Sequence, residues 1–102
     1  MSNRPYPIKI DADLIGAFCR ENGIRRLSLF GSILRDDFGP ASDVDILVEL
    51  EAGRTPGLAF FRMQRELSAL LGRDVELSTP AWLSHRFRDD VLSEAEPVYA
   101  AA

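Results

Sequence analysis

Two aspartates one residue apart, Asp43 and Asp45, open the apolar run Val44-Asp45-Ile46-Leu47-Val48. Strand side chains alternate between faces, so both carboxylates point one way while Val44 and Ile46 point the other. Adjacent like charges raise each other's pKa, and a fold keeps such a pair ionised by setting a cation between them. Hard oxygen ligands on one face suit Mg²⁺ or Mn²⁺. A third carboxylate, Glu76, stands mid-strand in Asp74-Val75-Glu76-Leu77. If that strand pairs beside the first, Glu76 joins the same face. Three carboxylates can hold two metal ions roughly 3.5–4 Å apart, the spacing that clamps both oxygens of an in-line phosphoryl displacement. Plainer readings stand beside this one: Asp-x-Asp alone is common, and Glu76 could be a solvent-facing strand residue.

The second half of the candidate site is Gly31-Ser32, which follows the apolar segment Leu27 to Phe30. Glycine lets backbone approach a phosphate with no Cβ in the way. The backbone N–H groups of the next turn and the Ser32 hydroxyl can then cradle phosphate oxygens. Arg35, about one turn later, either neutralises phosphate charge bidentately or pairs on the surface with Asp36 or Asp37. Gly-Ser alone is ordinary turn chemistry. Ser42 reads as a turn or capping residue.

Other chemically capable residues have bland readings. His85 has no second histidine or cysteine at ligand spacing, which disfavours zinc, and it belongs on the exposed side of the last helix. Cys19 reads as a buried helix residue, with no histidine arranged to activate it. Trp82 and Phe87 are expected in the core, with an exposed Trp82 at a partner surface as the alternative. Arg86-Phe87-Arg88, Arg62 and Arg65 read as solvated helix faces.

These residues need elements to position them. Asp11 can cap a helix over Ala12 to Glu21 that places Leu14, Ile15 and Phe18 on one face, and Asn22-Gly23 stops it. Arg26 to Phe30 and Val44 to Leu50 read as strands, with a short helix or turn over Ile33 to Phe38 between them. Thr55-Pro56 gives a cap and a first-turn proline for the next helix. Its apolar residues Phe60, Met63, Leu67 and Leu71 recur at helical spacing until Gly72. Asp74 to Ser78 is a third strand. Thr79-Pro80 repeats the cap-plus-proline signal before the stripe Leu83, Phe87, Val91. Pro97 stops that helix, and Val98-Tyr99 can add an edge strand. The order α-β-α-β-α-β-α argues for an α/β (α+β) chain with a small mixed sheet of about three to four strands covered by helices.

The 102 residues, 46% of them hydrophobic, make one domain over 1–102 with a core of about 11–99. No apolar stretch is long enough for a membrane span, and the start lacks a signal-peptide pattern. A single cysteine excludes an internal disulfide, and with the missing signal it favours the cytoplasm. Sixteen acidic against twelve basic residues give a net charge of −4. That disfavours free nucleic acid as partner and fits metal ions or a basic protein surface.

Gly31-Ser32, ten residues, then Asp43-Val44-Asp45 resembles the signature of the DNA polymerase beta-like nucleotidyltransferase superfamily. The likeness is nearest to the minimal nucleotidyltransferase (MNT) group, whose members are often antitoxins to HEPN-domain toxins. It extends to Leu29-Phe30 before the glycine, Ser42 before the aspartates, Leu71-Gly72-Arg73-Asp74-Val75-Glu76-Leu77 and Ala95-Glu96-Pro97-Val98-Tyr99. The resemblance implies that Gly31 and Ser32 hold the triphosphate and that Asp43 and Asp45 hold metal. It implies that Glu76 helps bind metal and activates the acceptor. Two positions depart from the pattern. The third carboxylate is often aspartate in the family, and Asp36 stands where relatives often have glycine.

The resemblance implies an enzyme that moves AMP from ATP onto a protein hydroxyl with two Mg²⁺ ions, or Mn²⁺ in their place. Nothing but alanine follows Tyr99, so the acceptor is expected on a partner chain, by resemblance a HEPN toxin. A second reading is a toxin-binding module of the same fold with catalysis weak or lost. A third is transfer to a small molecule such as an aminoglycoside, completed by homo-oligomerisation.

Overall fold

A computed structural model describes residues 6–35, 37–53 and 57–101. Its first helix, α1 (Ala12–Asn22), starts where Asp11 accepts hydrogen bonds from the amides of Asp13 and Leu14, at 3.0 and 3.2 Å. This cap satisfies amides that a helix start leaves without partners. Gly23 ends the helix in the left-handed conformation, with φ 65°. Ile15, Phe18 and Cys19 are buried, whereas Leu14, expected beside them, is 51% exposed.

The chain continues through β1 (Ile24–Phe30), a 3₁₀ turn over Gly31–Leu34, β2 (Val44–Leu50) and α2 (Leu58–Leu71). Then follow β3 (Val75–Ser78), a second 3₁₀ turn over Pro80–Trp82, α3 (His85–Glu94) and β4 (Glu96–Ala100). The four strands form one mixed sheet in the order β3-β2-β1-β4. β1 runs antiparallel to β2 and β4, while β2 and β3 are parallel. The expected fold class is found, with the terminal segment completing a fourth strand.

Strand parity separates packing from chemistry. Leu27 and Leu29 of β1, Val44, Ile46 and Val48 of β2, and Val75 and Leu77 of β3 share one face. They pack with Ile15 and Phe18 of α1 and Phe60, Met63 and Leu67 of α2. Residues of the other parity carry the carboxylates. The exposed edge of β3 is closed by α2: the Gln64 side-chain oxygen accepts from the Leu77 amide at 2.9 Å, and Ser68 Oγ from the Val75 amide at 3.0 Å. Side chains one helical turn apart thus satisfy edge amides that would otherwise invite another strand.

Two helix starts differ from expectation. Thr55 and Pro56 lie outside the described residues; α2 is described from Leu58, preceded by Gly57. Thr79-Pro80 starts only the 3₁₀ turn, and Leu83 is extended, with ψ 139°. The helix begins at His85, so Leu83 is outside it and the stripe loses its phase. Phe87 is 61% exposed and Trp82 52% exposed, so neither is the core residue expected. Trp82 still sets its ring edge-on to Phe60, with centroids 4.6 Å apart. Among the described residues, no helix is long and apolar enough to cross a membrane.

Candidate active site

The candidate site lies where β1 ends, β2 begins and β3 begins. Phe30 of β1 pairs with Asp45 of β2, and Asp45 pairs in register with Glu76 of β3. Neighbouring strands lie about 4.8 Å apart, so Asp45 and Glu76 stand side by side on one face. Asp43 precedes β2 and is exposed, Asp45 is half-buried, and Glu76 is exposed. The strand pairing posited for Glu76 is therefore the one found.

Electrostatics ties the group together. The Asp45 carboxyl, ordinarily at 3.8, is pushed up to about 6, first by burial, then by the negative charges of Glu76 and Asp43, while Arg35 pulls it back. Each of those residues thus lies within electrostatic reach of Asp45. Among the described residues, no three carboxylate, histidine or cysteine side chains are already drawn into a metal cage. The donor set nevertheless fits a hard divalent cation. It is all oxygen, it carries excess negative charge, and it destabilises its own ionised form without one.

Gly31 turns the chain beside this cluster. Its φ of 75° is left-handed, and a Cβ there would collide with the Asp45 carboxylate, whose Cγ would lie 3.1 Å away. Glycine is therefore required twice, by conformation and by the close approach of Asp45. Ser32 and Ile33 continue the 3₁₀ turn, and the Arg35 amide closes it on the Ser32 carbonyl at 2.9 Å. The helix or turn expected over Ile33 to Phe38 is this tight turn, placed earlier. Arg35 is exposed, and its Nε lies 3.7 Å from Asp37 Oδ1, so it meets a surface carboxylate while also acting on Asp45. Asp36 lies outside the described residues. A cleft of about 220 Å³ opens beside the turn, lined by Gly31, Leu34, Arg35, Glu94 and Glu96.

Ser42 is a turn residue, its Oγ accepting from the Gly39 amide at 2.9 Å. His85 is exposed. Cys19 is buried, and burial pushes its thiol up to about 12. The residue that sequence reasoning left without a role is Arg73. Its Nη2 reaches the carbonyls of Gly39, Pro40 and Ser42, at 2.7, 3.2 and 2.8 Å, in the loop that delivers Asp43. No sequence signal marks that contact, because its partners are backbone carbonyls.

A glycine-led turn packed against a row of carboxylates on one sheet face is the arrangement that the sequence resemblance to nucleotidyltransferases leads one to expect. The model of the nucleotidyltransferase domain family matches residues 12–98, and the chain belongs to that family, within its minimal nucleotidyltransferase group. A Methanocaldococcus jannaschii protein described as a protein adenylyltransferase is 36% identical over 78 residues, 76% of this chain and 83% of the relative. The protein adenylyltransferase MntA of Thermococcus cleftensis is 38% identical over 73 residues, 71% of this chain and 72% of the relative. The same fold, at 22% identity, occurs in the solved structure of a tri-AMPylated Shewanella oneidensis HEPN toxin with its MNT antitoxin. The TM-score there is 0.65, over 88% of this chain and 70% of the other. The chain is thus a nucleotidyltransferase.

Proposed function

We propose that this chain transfers AMP from ATP to a hydroxyl of a partner protein in a Mg²⁺-dependent reaction, and so neutralises a cognate HEPN-domain toxin in the cytoplasm. The observation that carries this reading is the convergence of Asp43, Glu76 and Arg35 on Asp45, beside a glycine with no room for a side chain. The names of the two archaeal relatives and the AMPylated toxin in the Shewanella complex support protein as the acceptor.

Asp43, Asp45 and Glu76 would hold the metal ions, Mg²⁺ or Mn²⁺, whose chemistry is to neutralise the triphosphate and stabilise the attacking and leaving oxygens. Gly31 admits the triphosphate close to backbone, and the Ser32 hydroxyl donates a hydrogen bond to a phosphate oxygen. Arg35 exchanges its surface contact with Asp37 for phosphate charge. Glu76, exposed and next to Asp45, accepts the proton of the acceptor hydroxyl. The acceptor oxygen bonds to the α-phosphorus as the bond to the β-phosphate oxygen breaks, and pyrophosphate leaves with that electron pair.

The test is mass spectrometry of the partner toxin after incubation with this protein, Mg²⁺ and ATP. A gain of one or more AMP units is expected. A stable complex with no mass gain would instead make the chain a binding antitoxin without transfer.

A further inference from the structure

We propose that Arg73 is a positioning residue: it clamps the Phe38–Ser42 loop and thereby aims the Asp43 carboxylate at its place beside Asp45. This rests on the reading of Asp43 as a metal ligand.

The two aspartates are held differently. Asp45 lies within the sheet and is paired on both sides, to Phe30 and to Glu76. Asp43 stands before β2 begins, where no ladder pairing fixes it. Its place depends on the residues flanking it. On one side, the Val44 amide donates to the Asp74 carbonyl at 2.8 Å. On the other, the Ser42 carbonyl, which forms the peptide bond to Asp43, accepts from Arg73 at 2.8 Å.

That contact is one of a set. The same nitrogen reaches the Gly39 carbonyl at 2.7 Å and the Pro40 carbonyl at 3.2 Å. The guanidinium carbon lies 4.6 Å from the centre of the Phe38 ring. The loop also closes on itself through the Ser42 amide and the Gly39 carbonyl at 3.1 Å, and through Ser42 Oγ. Charge-assisted bonds are about twice as strong as neutral ones. One cation that gathers three carbonyls and an aromatic face therefore dominates the geometry of this loop. Arg73 spends its Nη2 donors on three carbonyls of this one loop, which makes orientation of the loop its part. It also sits next to Asp74 at the head of β3, so the strand carrying Glu76 and the loop carrying Asp43 are fixed to each other.

The experiment is Mn²⁺ binding to the full chain, followed by the electron paramagnetic resonance signal of free Mn²⁺. It compares wild type, Asp43→Asn, Arg73→Met, Arg73→Lys and the double variant Asp43→Asn/Arg73→Met. Residues that orient metal ligands typically alter affinity by about 10–100-fold. Arg73→Met is expected to weaken Mn²⁺ binding by about tenfold. Arg73→Lys, whose ammonium offers three donors to the same carbonyls, is expected to recover most of that loss. In the Asp43→Asn background, Arg73→Met should add nothing further, because the ligand it aims is already gone. A merely structural arginine would lower the melting temperature in both backgrounds without this non-additivity.

Full Mn²⁺ affinity in Arg73→Met, with a clear loss in Asp43→Asn, overturns the positioning role and leaves the metal reading intact. Equal losses from Arg73→Met in both backgrounds also overturn it. Unchanged affinity in Asp43→Asn removes the metal reading, and this inference with it. If Arg73→Met does not fold, Arg73→Gln, too short to reach the loop carbonyls, carries the same comparison.

Discussion

Position 31 tolerates no side chain because two demands coincide there. The backbone is left-handed, and the Asp45 carboxylate occupies the space a Cβ would fill. Gly31→Ala is expected to cost about 1–3 kcal/mol of stability and to abolish nucleotide transfer, as checked by urea melts and partner mass. A variant as stable and active as wild type would remove the close approach from the argument. Asp45 gives a pH signature. Its carboxyl sits at about 6 in the folded chain against an ordinary 3.8, so the folded state holds more protons than the unfolded chain across that window. Stability without metal therefore falls as pH rises through the window, and the loss is complete above it. Asp45→Asn removes the penalty. Screening of a half-buried carboxylate limits the gain to about 1 kcal/mol, a rise in Tm at pH 7.5 on the order of 4–8 °C for a chain of this size. Little gain is expected at pH 3.5, where the folded carboxyl is protonated and the unfolded one mostly so. Calorimetry in EDTA checks this, and an equal rise at both pH values would mean a packing effect. At this scale the sequence was legible in placement: strand parity set Asp45 and Glu76 on one face, with Gly31 turning beside them. Arg73 was illegible because its partners are carbonyls that every residue carries.

Elements were legible where two signals agreed. Helix α1 has a side-chain cap at Asp11, an apolar stripe and a glycine stop, and it forms within a residue of its expected end. Strand β2 forms over the expected range, since its alternation and flanking turn residues concur. Helix α3 was misplaced because Thr79-Pro80 states only that a turn can start, and a 3₁₀ turn uses the same signal. Periodicity states which residues share a face, not whether anything covers it. None of the described α3 residues is buried. The closure of the β3 edge by Gln64 and Ser68 was likewise unreadable, since both look like polar positions on a solvated helix. Each of Gln64→Ala and Ser68→Ala is expected to cost about 1 kcal/mol by leaving an edge amide unpaired. Leu67→Ala, which opens the core beneath them, should cost about 2–5 kcal/mol. Denaturant titrations rank the three, and a neutral double variant Gln64→Ala/Ser68→Ala would show that water replaces both contacts.

For the whole molecule, the mixed sheet divides labour between its faces. One parity is packed under α1 and α2, and the other gathers negative charge at the strand ends where β1, β2 and β3 meet. A chain of net charge −4 that concentrates carboxylates in this way repels a triphosphate unless cations intervene. Nucleotide binding should therefore be tied to metal, and that tie can be read as stability. A ligand that binds only the folded state at a hundredfold excess over its Kd stabilises it by about 2.7 kcal/mol. MgATP is expected to raise the melting temperature accordingly, while ATP with EDTA leaves it unchanged. The double variant Asp43→Ala/Asp45→Ala should lose the MgATP shift. Its melting temperature without metal should hold or rise, because removing clustered like charges relieves their repulsion. Equal stabilisation by ATP with and without EDTA would separate nucleotide binding from the carboxylates and overturn the two-metal reading. A marked drop in the metal-free melting temperature of the double variant would instead make the aspartates part of the scaffold, leaving the glycine turn and Arg35 to bind phosphate on their own.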